Sequence, residues 1–94
     1  MYPLEEVLIW EAEMDDSLQQ ERQILAAYQL MKMDLTDRRT VLLQGDTIDT
    51  FSLDTVDQAI LRVEKLISEQ NVIIGEKEKA VQTMYEQWKQ LLKD

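Results

Sequence analysis

The second half of the chain carries a long heptad pattern, which limits the fold more than any other feature. Six apolar residues stand seven positions apart: Leu53, Ile60, Ile67, Ile74, Val81 and Trp88. A second row lies three residues later, apolar at both ends and polar in the middle: Val56, Val63, Gln70, Lys77, Met84 and Leu91. Two rows with this spacing form one stripe on a helix, so this helix must pack lengthwise against another helix.

The first half of the chain predicts another long helix. Pro3 suits the first turn of a helix, and Glu5 and Glu6 complement the positive end of its dipole. No glycine or proline follows until Gly45, which stands where a glycine commonly ends a helix. We therefore predict a helix from about residue 3 to about residue 44. Its apolar residues recur at helical spacing: Leu4, Val7, Leu8, Met14, Leu18, Leu25, Tyr28, Leu35 and Leu42.

One segment of this first helix favours a break. Asp34, Thr36 and Asp37 have side chains that compete with the helix for backbone hydrogen bonds. The β-branched pair Thr40 and Val41 follows closely. Two interpretations stay open: an unbroken helix, or a kink followed by a short extra helix near the connection that Thr36 or Asp37 caps.

The connection is predicted at about residues 45–52, a stretch rich in Thr, Asp and Ser. Asp46 or Ser52 can each cap the next helix, and we favour Ser52. The second helix then runs over about residues 53–92. Gly75 falls inside it, but the heptad pattern continues across the glycine. We interpret Gly75 as tolerated, either as a soft point or as a close approach of the neighbouring helix.

A short connection between two long helices places them side by side and antiparallel. The sequence therefore predicts an all-α protein in which residues 1–94 form a single domain, a two-helix hairpin with a coiled-coil-like seam. An extended hairpin of 94 residues buries little surface per residue. We therefore expect it to bind a partner chain or a second copy of itself.

The charge balance limits the classes of partner. The chain has 19 acidic and 10 basic residues, a net charge of −9, which argues against nucleic acid and against anionic lipid headgroups. No apolar run approaches the ~20 residues of a membrane span, and the first residues show no secretory signal. With no cysteine to form disulfides, the best expectation is a cytoplasmic protein that binds other proteins.

Catalytic and metal-binding residues are not indicated. The chain has no histidine and no cysteine, which removes the commonest general base and the soft metal ligands. The carboxylates of Glu11, Glu13, Asp15 and Asp16 lie close in sequence, but they follow no calcium-loop pattern and fit a solvated face better. We therefore predict no enzyme, no metal and no cofactor.

Apolar residues outside the seam favour an interaction surface. A hairpin has one internal face, so flanking residues form a second stripe that widens the core, buries against a second copy or receives an amphipathic helix. These residues are Ile9, Trp10, Ile24, Ala26, Ala27, Leu30, Met31, Leu61, Leu66, Ile73, Tyr85 and Leu92.

The last turns of the second helix combine aromatic residues, methionine and leucine, types that are enriched where proteins meet. An alternative is that these aromatic residues clamp the open end of the helix pair. We predict that partner contacts are made by Met84, Tyr85, Trp88, Leu91 and Leu92.

A resemblance to a known family lies at the end of the first helix, in Arg38-Arg39-Thr40-Val41-Leu42-Leu43-Gln44-Gly45-Asp46 followed by a heptad helix. This segment resembles the flagellar export chaperones of the FlgN group, with Leu42, Leu43, Gly45 and Asp46 carrying the identity. The resemblance implies a cytoplasmic, acidic, all-helical chaperone. Such chaperones bind C-terminal helices of hook-associated proteins before type III export.

The leading hypothesis is therefore a small acidic export chaperone that shields an amphipathic helix of a secreted or filament protein. One alternative is a structural coiled-coil protein that self-associates as a homodimer into a four-helix bundle. Another is an acidic regulator that covers a basic surface of a protein partner.

Overall fold

The computed structural model describes the backbone of residues 4–92 and the side chains of residues 5–91, so Pro3 lies outside the described residues. Two helices account for nearly all of this range: α1 (Leu4–Leu43) and α2 (Thr50–Leu92), of 40 and 43 residues. They pack against each other in opposite directions. The predicted all-α helical hairpin is confirmed.

The hairpin is a thin rod. Its extents are 73 × 16 × 14 Å, and its radius of gyration is 21.2 Å. A compact domain of this length would have a radius of gyration of about 12 Å. Within the described residues, neither helix contains a stretch long and apolar enough to cross a membrane.

The predicted heptad rows of α2 form the seam. Val63 and Ile74 are buried in it together with Leu18 of α1, and Gln70 is the buried polar residue. The other seam positions of α2 are half-buried, except for Leu91, whose exposed fraction is 50%. The seam therefore covers side chains along most of the rod, but it encloses few of them fully.

Helix α1 continues without interruption through the segment in which a break was considered. The hydroxyl of Thr36 donates to the carbonyl of Lys32 at 2.8 Å, and that of Thr40 donates to the carbonyl of Thr36 at 3.1 Å. Each hydroxyl thus bonds within the preceding helical turn instead of capping a new helix. Arg38 also pairs with Asp34 one turn earlier, at 3.1 Å. The alternative of a short extra helix is wrong.

Helix α1 ends at Leu43, within one residue of the prediction, but Gly45 does not cap it as expected. The N–H of Gln44 donates to the carbonyl of Val41 at 3.2 Å, which tightens the last turn. Gly45 follows, but no described glycine adopts a positive φ, so Gly45 is not the left-handed cap that its position suggested.

Helix α2 starts earlier than predicted because Asp49 caps it. The Asp49 carboxylate accepts hydrogen bonds from the N–H groups of Phe51 and Ser52, at 3.1 and 3.2 Å, and from the Ser52 hydroxyl at 2.7 Å. These bonds, led by the Ser52 hydroxyl, lower the pKa of Asp49. The prediction of Asp46 or Ser52 as the cap is wrong, since Ser52 lies in the first turn that Asp49 holds.

Gly75 lies within an unbroken α2 and faces open space. A methyl group added there would meet nothing within 4 Å, so the interpretation of a close helix approach is wrong. No steric reason in the hairpin requires glycine at this position.

Replacing Gly75 with alanine should stabilise the hairpin. The change raises helix propensity without a clash, and we expect the free energy of unfolding to rise by about 0.5–1 kcal/mol. Urea unfolding followed by circular dichroism measures it. Ser68→Gly, in the same exposed row one heptad earlier, is the matched control and should lower the free energy by about 0.5 kcal/mol. A Gly75→Ala variant less stable than the parent would contradict this account.

Candidate protein-binding surface

Two acidic residues near the start of α1 make contacts within the hairpin. Glu11 accepts a hydrogen bond from the Tyr85 hydroxyl, and Asp16 accepts one from the side-chain amide of Gln20 at 3.3 Å. Among residues 4–92, no group of three or more carboxylates could hold a metal ion.

An aromatic cluster closes the open end of the hairpin. Trp10 of α1 meets Trp88 edge-on, with ring centroids 4.5 Å apart, and lies 6.3 Å from the ring of Tyr85. The hydrogen bond from Tyr85 to Glu11 raises the pKa of Tyr85, with burial and the charges of Glu11 and Asp15 acting in the same direction. This cluster has the geometry of the clamp considered from the sequence.

The five residues predicted to contact a partner therefore differ in their exposure. Met84, Tyr85 and Trp88 are half-buried in or beside the seam, whereas Leu91 is half-exposed. The side chain of Leu92 lies outside the described residues. A role for these residues in partner binding stays a prediction, but they do not form one exposed patch in the hairpin.

A polar layer interrupts the seam near its middle. Gln70, only 5% exposed, donates from its amide nitrogen to the backbone carbonyl and to the carboxylate of Glu21, both at 2.9 Å. The Lys77 ammonium lies 3.6 Å from that carboxylate and donates to the Ser17 hydroxyl at 2.8 Å. The polar groups of the layer thus satisfy one another, so polar residues are accommodated inside an otherwise apolar seam.

The covered residues of α1 also repeat every seven positions, so its seam has two rows like that of α2. One row contains Glu11, Leu18, Leu25 and Lys32, and the other contains Val7, Met14, Glu21, Tyr28, Leu35 and Leu42. In each helix, the residues on either side of this stripe form two flanks. In an antiparallel pair, each flank of α1 lies beside the corresponding flank of α2, giving the hairpin two lateral faces.

One lateral face is apolar. Its central residues are partly exposed: Ile24 and Met31 of α1 at 39% and 48%, and Leu66 and Ile73 of α2 at 36% and 39%. Ala27 lies on the same side of α1 between Ile24 and Met31, and Ala59 lies on the same side of α2 one heptad before Leu66. We call this set the apolar face: Ile24, Ala27, Met31, Ala59, Leu66 and Ile73.

A shallow groove runs along the loop-proximal part of the apolar face. Its volume is about 400 Å³, and Met31, Arg38, Ala59 and Leu66 line it together with Asp34, Leu35, Arg62 and Val63. A second groove of about 380 Å³ shares Arg38 and continues towards the connection. The grooves are thus lined mainly by aliphatic side chains, together with two arginines and two aspartates, Arg38, Arg62, Asp34 and Asp37.

The opposite lateral face is polar. Arg22 pairs with Glu78 across the helices at 3.1 Å. The next positions on this side, one heptad along each helix, are the exposed residues Gln29 and Asn71. We call this side, with Arg22, Gln29, Asn71 and Glu78, the polar face. Among the described residues, the two sides of the rod therefore differ in chemistry at their centres, with aliphatic side chains on one face and polar side chains on the other.

The sequence marked most of the apolar face as flanking residues but did not assemble it. The signal was available, because Ile24 and Met31, like Leu66 and Ile73, lie seven positions apart beside a seam row. Assembling the face also required the pairing of the two helices, and that pairing depends on contacts such as Gln70 with Glu21.

Comparison with known proteins adds no relationship: no family model, curated protein or solved structure matches the chain. The resemblance to the flagellar export chaperones therefore stays a prediction.

Replacing Gln70 and Glu21 together should stabilise the hairpin, whereas replacing Gln70 alone should not. Gln70→Leu leaves the Glu21 carboxylate facing an apolar side chain and should lower the free energy of unfolding by about 1–3 kcal/mol. The double variant Glu21→Leu/Gln70→Leu should instead exceed the parent by about 1 kcal/mol. Urea unfolding measures both. An effect of the double variant equal to the sum of the effects of Gln70→Leu and Glu21→Leu measured singly would show that the two residues are not coupled.

Tyr85 should make the hairpin sensitive to alkali. Its raised pKa means that the folded state retains the hydroxyl proton more tightly than the unfolded chain. The resulting stability is complete below the unfolded pKa of about 10 and is lost as pH rises through the folded pKa. Tyr85→Phe should therefore flatten the fall of melting temperature between about pH 9 and pH 11 relative to the parent. Tyr28→Phe is the control, and an equal flattening in that variant would refute the assignment.

Proposed function

We propose that this chain is a protein-binding hairpin that shields an amphipathic helix of a partner protein on its apolar face. The observation that carries the proposal is the difference between the two lateral faces, one aliphatic and grooved and the other polar. A helix laid along such a groove completes a three-helix packing and buries its own apolar residues at i, i+3 and i+4 spacing.

The burial of the apolar face supports moderate, reversible binding. Ile24, Met31, Leu66 and Ile73 are each already more than half covered by the hairpin itself. Completing their burial is worth about 1 kcal/mol apiece, so the four together supply about half of the roughly 8 kcal/mol of a micromolar complex. A chaperone must release its client, and a surface of this kind favours release over permanent assembly.

The acidity of the chain supports a client with basic residues around its apolar stripe. A net charge of −9 attracts such a helix and speeds its encounter with the hairpin. Together with the resemblance at Leu42–Asp46, this supports a cytoplasmic chaperone for a secreted or filament protein, the type of client that the resemblance implies.

Site-specific photocrosslinking tests this proposal directly. A photoreactive phenylalanine analogue placed at Met31 should crosslink, in cells of the source organism, to one discrete partner. Mass spectrometry should locate the crosslink in an amphipathic helical segment of that partner. The same analogue at Gln29, on the polar face, is the matched control and should give little of this product.

Two results would contradict the proposal. Equal crosslinking from Met31 and Gln29 would show that the apolar face does not select the partner. Crosslinks from Met31 only to other copies of this chain would show that the face has no client. Circular dichroism of each labelled variant verifies that the helical content is unchanged.

A further inference from the structure

We infer that, when no client helix is bound, a second copy of this chain packed in the opposite direction covers the apolar face. This inference shares its surface with the proposed function but names a different occupant, so the two fail in different experiments. It rests on the exposed surface of the hairpin, on the arrangement of the apolar face and on its charges.

The hairpin exposes more surface than a protein of its size normally does. Its accessible surface is 7499 Å², whereas a compact monomer of 11.1 kDa exposes about 5,700 Å². A stable interface requires about 800 Å² from each partner. A face of a rod 73 Å long and 16 Å wide provides that area.

The apolar face is complementary to itself. A two-fold axis can lie in the interface, perpendicular to the long direction of the rod. It crosses the rod midway between the level of Ile24 and Ile73 and the level of Met31 and Leu66. It places Ile24 on the partner subunit's Met31. It also places Ile73 on the partner subunit's Leu66, with each α2 antiparallel to the other. Such a closed, isologous contact buries all four residues of both copies.

Charged residues on α2 favour this opposite direction. Arg62 lies at the rim of the groove on the loop side of the axis, and Glu76 lies at a similar distance on the other side, roughly 10 Å along the helix. The two-fold axis brings Arg62 close to the partner subunit's Glu76, and the pair occurs twice. Within residues 4–92, neither side chain has an ion-pair partner in its own hairpin.

Packing in the same direction would not form this pair. With both connections at one end, Arg62 lies level with the partner subunit's Arg62 and roughly 20 Å along the rod from the partner subunit's Glu76.

The axis also predicts a place where the interface is imperfect. Glu69 lies on α2 close to the level of the axis and therefore near the partner subunit's Glu69. Its pairing with Lys65 one turn earlier, at 4.0 Å, reduces but does not remove this repulsion. Glu69→Gln should therefore tighten the dimer by a few-fold.

Analytical ultracentrifugation of the purified full chain tests the inference. The parent should sediment as a dimer at micromolar concentration. Arg62→Glu and Glu76→Arg should each raise the dissociation constant about tenfold, because each places like charges in two symmetric pairs. The double variant Arg62→Glu/Glu76→Arg restores opposite charges between the copies, and it should return the dissociation constant to within about threefold of the parent.

A second pair of variants tests the face itself. Ile73→Glu places a charge in the centre of the interface and should raise the dissociation constant about 100-fold or more. Asn71→Glu, two residues away on the polar face, should leave it within about twofold. Circular dichroism separates loss of dimer from loss of fold.

A monomer at all concentrations up to about 100 µM would overturn the inference. A dimer that responds equally to Ile73→Glu and Asn71→Glu would overturn it too, because another surface would then hold the copies together. If the double charge exchange does not restore binding, the two copies do not pack in opposite directions. The crosslinking test for a client helix does not depend on any of these results.

Discussion

The hydrogen bonds from Gln70 to Glu21 fix the buried centre of the register on which the rest of the hairpin depends. Heptad repeats by themselves do not distinguish registers that differ by seven positions, because each would bury similar apolar surface. The short connection between α1 and α2 and the bonds of the polar layer both oppose such a slide. Such a slide would move Gln70 from Glu21 to the level of Met14 or Tyr28 and would separate Lys77 from both Glu21 and Ser17. The polar layer makes those alternatives costly, because a buried amide would lose its partners.

That register determines which side chains share a lateral face. With Glu21 beside Gln70, the aliphatic flank residues of α1 lie beside those of α2, and Arg22 lies beside Glu78 on the other side. Two helices enclose one seam, so no rearrangement of this hairpin buries the apolar face internally. The residues that specify the fold therefore also produce a surface that favours association.

The sequence predicted the hairpin because the heptad rows of α2 and the scarcity of glycine and proline act locally and agree with each other. It failed where nearby side chains compete for the same role. Asp49, Asp46 and Ser52 are all suitable helix caps, and only the backbone path selects Asp49. Thr36 could cap or continue a helix, and its bond to the Lys32 carbonyl decides the outcome. The sequence placed most residues of the apolar face beside a seam row but did not assemble them, because the face is formed by two distant segments whose alignment follows from the pairing of the two helices.

The most direct measurement uses two methionines of one helix. Met31 lies on the apolar face and Met33 on the outer surface, and their exposed fractions in the isolated hairpin are 48% and 63%. Oxidation of the purified chain by peroxide, followed by mass spectrometry, measures how accessible each methionine sulfur is to solvent. A covered apolar face predicts that Met33 is oxidised several times faster than Met31 at micromolar concentration and that dilution reduces this ratio to the one expected from the two exposed fractions. Rates that simply follow the two exposed fractions at every concentration would contradict it.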